Sequence, residues 1–171
     1  MYKYFTDNGK NLNLNGFSKR FVRDLSKLIE SINNDNVEEF AVILDKMIKQ
    51  YGKKVLYIPL DLIDLIKKYL EDKHIFSKDH KCIKGYTLWQ IALLKRSYRI
   101  FEYLFKLKLY NSNEPYDCLS NRPLHLAASL CDKNAIEILI KYGANLHSLN
   151  KLGKSPLNLL SKCNINLYSG I

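Results

Sequence analysis

The sequence predicts an all-α fold, a stack of short helices, and three observations predict it. Apolar residues recur at spacings of three and four from Phe21 to Ile32, from Val37 to Ile48 and from Leu60 to Leu70, the period of an amphipathic helix. Seven Gly and four Pro in 171 residues leave room for few tight turns. Finally, Arg122-Pro123-Leu124-His125-Leu126-Ala127-Ala128 returns in looser form 33 residues later as Ser155-Pro156-Leu157-Asn158-Leu159-Leu160-Ser161. A fixed spacing of that size marks an array of structural units, each burying its apolar face against its neighbours.

The elements follow in chain order. Residues 1–16, rich in Asn, read as an irregular arm. Phe21, Val22, Leu25, Leu28, Ile29 and Ile32 give a first helix, which Asn33-Asn34-Asp35 interrupts. Asp35 or Asn36 can cap a second helix, with Glu38 and Glu39 suited to its positive N-terminal end. Gly52 ends that helix. Val55 to Ile58 reads as a short strand or a linker. Pro59 suits the first turn of a third helix reaching Leu70, and His74 to Lys84 reads as a loop.

From Gly85 the repeats are explicit. Gly85-Tyr86-Thr87-Leu88-Trp89-Gln90-Ile91-Ala92, the segment from Asp117 to Ala128 and the segment from Asn150 to Leu157 each resemble the G-x-T-P-L-H-x-A core of the ankyrin repeat family. A second helix follows in two of them, at Ile100 to Phe105 and Ala135 to Tyr142, and Gly143-Ala144-Asn145-Leu146 is similar to the family's G-A-D-V. The resemblance implies an ankyrin-repeat solenoid over 79–171, with two full repeats and a partial third. Residues 17–78 would then be a divergent N-terminal helical cap.

That register assigns roles. Gly85 and Gly153 would allow a turn at positive φ. Ser120 stands where the glycine would be, so its turn should be strained or differently shaped. Pro123 and Pro156 start helices. Ala92, Ala127 and Ala128 allow close helix approach, and Leu124, Leu126, Ile136, Leu139 and Ile140 would fill the core. Trp89 falls on a buried position. His125 would bond backbone and neighbouring loops; a catalytic histidine needs an oriented partner and a nucleophile, and nothing near it in sequence supplies them.

Other chemistry is weakly marked. Cys82, Cys118, Cys131 and Cys163 form no C-x-x-C pair and fit no zinc spacing. They read as reduced thiols of a cytosolic protein, mostly packing residues. No glycine-rich phosphate loop is present, and no metal or other cofactor is expected. The apolar runs fall short of a membrane span. The N-terminus has no apolar stretch of signal-peptide length.

The net charge is +10, from 27 basic and 17 acidic residues. It could attract nucleic acid or another acidic surface. Because the excess is lysine and arginine forks are few, it reads more simply as a solvated surface.

The expected function is non-catalytic protein–protein interaction by a cytoplasmic monomer, in a host cytosol if the chain is microbial or viral. The alternative is binding of nucleic acid or another acidic surface through the lysines. Carried over from the family, the docking positions are Ile83, Lys84, Tyr86, Cys118, Leu119, Asn121, Lys151, Leu152 and Lys154 on the loop fingers. At the ends of first helices they are Leu94, Lys95, Ser129, Leu130, Lys162 and Cys163. Tyr86, Leu119, Leu130 and Leu152 would be anchors and the lysines a rim, which suits a partner with an acidic, partly apolar patch.

Overall fold

The computed structural model describes residues 19–59, 85–161 and 163. The irregular arm, the third helix and the loop to Lys84 expected from the sequence lie outside these residues. The described chain is mostly helical. Its helices are α1 (Lys19–Asn33), α2 (Val37–Tyr51), α3 (Leu88–Leu94), α4 (Tyr98–Lys106), α5 (Pro123–Ser129), α6 (Lys133–Lys141) and α7 (Pro156–Leu160). Two three-residue strands, β1 (Tyr57–Pro59) and β2 (Gly85–Thr87), pair antiparallel, with Tyr57 opposite Thr87 and Pro59 opposite Gly85. This small ribbon overlaps the segment read as a short strand or a linker, and it holds Pro59, expected in the first turn of a helix, in extended backbone. It also corrects the role of Gly85, which lies in extended backbone and is not among the positive-φ glycines.

Helices pair as α1–α2, α3–α4 and α5–α6, and the pairs stack: α1 on α3, α2 on α4, α4 on α6 and α5 on α7. The turn inside each pair is the same. Asp35, Arg96 and Cys131 adopt φ of 47°, 57° and 52°. Their N–H groups bond the carbonyls of Ile32, Leu93 and Ala128 at 3.0, 2.9 and 3.1 Å. The next N–H groups, of Asn36, Ser97 and Asp132, bond Ser31, Ala92 and Ala127 at 2.9, 2.9 and 3.0 Å. Those three acceptors are small and fully buried, because any larger side chain there would hold the two helices apart. The helix pair at the N-terminal end therefore uses the same turn as the two behind it. Its second helix differs in length, 15 residues in α2 against 9 in α4 and 9 in α6, which is why Gly52 arrives late relative to the repeat spacing.

One core runs through the stack. Leu28, Ile32, Phe40, Met47, Trp89, Phe101, Leu104, Leu124, Ile136 and Leu139 are buried in it. Trp89 packs edge-on to Phe101 and Tyr116 at ring-centroid distances of 6.5 and 5.4 Å, as its sequence position implied. Ile140 does not join: it is 39% exposed on α6, beside the fully buried Leu139. Tyr110 reaches between layers. Its hydroxyl donates to the Leu56 carbonyl and accepts the Leu88 N–H at 3.2 Å, and burial pushes its pKa well above the usual phenol range.

Candidate functional site: the finger loops and first-helix ends

The loop before α5 and the loop before α7 are built alike. Asp117 Oδ1 accepts the Asn121 N–H at 2.8 Å, and the Asp117 carbonyl accepts the Ser120 N–H at 3.1 Å. One repeat later, Asn150 Oδ1 accepts the N–H groups of Leu152 and Lys154 at 2.9 and 3.0 Å, and its carbonyl accepts the Gly153 N–H at 3.0 Å. Asp and Asn at these positions replace missing backbone pairing with side-chain acceptors, the usual reason they favour turns. Ser120 has φ of 59° and Gly153 of 66°. The strained turn expected at Ser120 is therefore a left-handed residue that copies the glycine.

Hydrogen bonds lock the two loops together. The Lys151 N–H donates to the Leu119 carbonyl at 2.8 Å, and Asn150 Nδ2 donates to Asn121 Oδ1 at 2.8 Å. Arg122 spans the base, with Nε on the Asn113 carbonyl at 2.9 Å and a terminal nitrogen on the Leu149 carbonyl at 3.2 Å. With the backbone held on the inside, side chains are left outside. Leu119, Leu149 and Leu152 are 38%, 61% and 64% exposed, and Lys151 and Lys154 are exposed beside them.

His125 belongs to this scaffold. Its Nδ1 accepts the Arg122 N–H at 3.1 Å, so the proton resides on Nε2, which faces the Lys154 carbonyl at 3.1 Å. Burial lowers its pKa from the ordinary histidine value. Gln90 and Asn158 occupy the same place in their units and accept the N–H groups of Thr87 and Ser155 at 2.8 and 3.0 Å. His125 thus acts as a helix N-terminal acceptor with an added link to the next loop, the structural role foreseen for it.

The sequence-derived docking residues divide. Ile83, Lys84 and Lys162 lie outside the described residues. Tyr86 is 6% exposed, with its backbone in β2 opposite Ile58. The strand pairing draws its ring into the core, so it cannot anchor a partner. Asn121 is held by Asp117 Oδ2 at 2.7 Å as well as by Asn150. Leu94 and Lys95 are half-buried at the end of α3, and Cys118 is exposed next to Leu119. At the end of α5, Ser129 is exposed and Leu130 is 45% exposed. Leu149 was missed. The signal available was a leucine placed directly before the loop asparagine, where an apolar group has no core to enter.

The cysteines require a correction. Cys131 and Cys163 form a disulfide, with Cα atoms 5.7 Å apart, and Cys118 is disulfide-bonded too. Cys131 lies in the turn after α5 and Cys163 just beyond α7, so stacking brings residues of adjacent units within bonding reach. The absence of C-x-x-C spacing said nothing about pairs formed across units. Reduced thiols therefore no longer support a cytosolic setting.

Among the described residues no group of three or more His, Cys, Asp or Glu side chains could hold a metal ion. Among them, too, no helix is long and apolar enough to cross a membrane. The second-helix face carries a shallow groove of about 340 Å³ lined by Tyr98, Glu102, Asn134, Glu137, Ile138 and Lys141. Its charges are internally paired. Lys141 Nζ meets Glu102 at 2.6 Å and holds that carboxyl below its ordinary pKa.

The chain is 32% identical over 78 residues to "Putative ankyrin repeat protein FPV024" of fowlpox virus (strain NVSL). The match covers 46% of this chain. This chain spans only 13% of that protein's length. No family model matches.

Proposed function

We propose that this chain is a non-catalytic protein-interaction module, an ankyrin-type solenoid whose finger and first-helix-end face docks a partner protein. The observation that carries the reading is the pair of matching loops locked to each other, which present Leu119, Leu149 and Leu152 beside Lys151 and Lys154. Rigid backbone under exposed branched side chains lowers the ordering cost of docking, and apolar groups ringed by lysine fit a partner with an acidic, partly apolar patch. The similarity to an ankyrin repeat protein supports the same class of function. The turn shared by α1–α2 with the later pairs supports reading residues 17–78 as a cap continuous with the repeats over 79–171.

Affinity capture with mass spectrometry at low and high salt, using the wild-type chain and a Leu119→Asp, Leu152→Asp double variant, tests the reading. A protein retained by wild type at both salts and lost by the variant is the expected result. Retention by the variant would overturn it. Capture of nucleic acid that disappears with salt would assign the surface to its lysines instead.

A further inference from the structure

The bond between Cys131 and Cys163 lies within the first-helix-end part of the proposed docking face. Cys131 directly follows the exposed Ser129 and Leu130, and Cys163 follows α7 by three residues. α7 is five residues long and packs on α5. Pro156 and Leu160 are its buried residues, whereas Leu157 is 41% exposed. The Cys131–Cys163 bond adds a covalent tie, between the turn after α5 and the segment after α7, to the packing of α7 on α5. Cys131 is exposed to solvent, so one sulfur of the bond is within reach of an attacking thiolate.

We propose that the Cys131–Cys163 disulfide is a redox latch that holds α7 against α5, and that a dithiol reductant releases it. The regulatory meaning rests on the docking face proposed above; the latch itself does not. In the reducing step a thiolate of the dithiol attacks the Cys131 sulfur and the Cys163 thiolate leaves. The second thiol of the reductant then attacks the mixed disulfide, closing the reductant's own disulfide and expelling the Cys131 thiolate. Two electrons pass to the protein, and two protons complete its thiols. Oxidation by a disulfide donor runs the same exchange backwards. With the bond open, α7 is held only by its packing on α5 and by the bonds between the loops, so it opens more often, and the face beside Leu130 loses a fixed edge. The helix pairs α1–α2 and α3–α4 contain no cysteine and keep their packing.

Hydrogen-exchange mass spectrometry on the full chain tests this. Cys163→Ser breaks this bond alone and leaves the disulfide of Cys118 in place; Cys131→Ser is the second variant. The expected result is amide exchange in α7 at least about tenfold faster in both variants, with α1 and α2 unchanged. Wild type treated with dithiothreitol should show the same acceleration in α7 and recover on reoxidation. Unchanged protection of α7 in the variants would overturn the proposal. So would loss of protection spreading through α1 to α4, or recovery of Cys131 and Cys163 as free thiols from protein kept under oxidising conditions. Because the readout involves no partner, failure of the docking reading leaves this result standing, and the reverse holds too.

Discussion

The carboxylate of Asp35 accepts the backbone N–H of Ile100 at 3.0 Å through Oδ1, and its other oxygen accepts the N–H of Arg99 at 3.2 Å. These donors are in the first turn of α4, where no intrahelical acceptor exists. Ser97, the residue placed to cap α4, makes no side-chain cap bond. Its hydroxyl is committed to the Ile32 carbonyl at 2.5 Å. α4 is therefore capped by the preceding helix pair, and that pair is in turn held by α4. Asp35→Ala should destabilise the chain by about 1 kcal/mol, within the range for a lost cap. Asp35→Asn, which keeps an acceptor and tolerates the left-handed backbone, should cost less. Urea unfolding measures both.

His125 predicts a pH dependence. Its folded-state pKa is lowered, chiefly by burial, so the folded chain resists protonation more than the unfolded chain does. Stability from this group is full above the unfolded value of about 6.5 and is lost as pH falls through it towards the lower folded value. His125→Gln should keep the bond to the Arg122 N–H, as Gln90 does for Thr87, and flatten the stability curve as pH falls below about 6.5. Thermal melts of both proteins across that range are the check. A curve of equal slope in the variant would remove His125 as the titrating group.

Ser120 and Gly153 hold equivalent left-handed positions. A side chain there costs about 1 kcal/mol that glycine avoids, although glycine gives back part of the gain as unfolded-state entropy. Ser120→Gly should leave the loop in place and raise stability by a few tenths to about 1 kcal/mol. Gly153→Ala should lower it by about 1 kcal/mol. Nothing lies within 4 Å of a Cβ built at Gly153, so that loss would come from backbone conformation alone.

Leu139 and Ile140 are neighbours with opposite fates. Leu139 is fully buried and Ile140 is 39% exposed. Leu139→Ala should cost about 2–5 kcal/mol, and Ile140→Ala under about 1 kcal/mol. Denaturant midpoints at constant slope read the difference directly.

The helices were legible wherever one residue type had one reason to be present. Pro123 and Pro156 begin α5 and α7, Trp89 and the buried alanines lie in the core, and Gly52 closes α2. What escaped depended on contacts between distant residues. Tyr86 looked like a surface aromatic because nothing local announces that residues 57–59 return to pair with it. Ile140 fits a core period, yet burial of that helix position needs a neighbour to cover it. The cysteine pairing needed the stacking of α5 and α7, which no spacing rule encodes. Within the candidate site, Asp117 and Asn150 marked the loops. The locking of one loop to the other runs largely through backbone carbonyls of Leu119 and Leu149, which any residue would supply.

Pro59 and Gly85 face each other across β1 and β2, while α1 meets α3 and α2 meets α4 directly. The two described ends of this span, Pro59 and Gly85, are thus fixed side by side by the ribbon. Doubling the length of a flexible connection between ends fixed in this way costs only about 0.6 kcal/mol, so the ribbon can hold the register of the helices on either side whatever the length of chain that joins its strands.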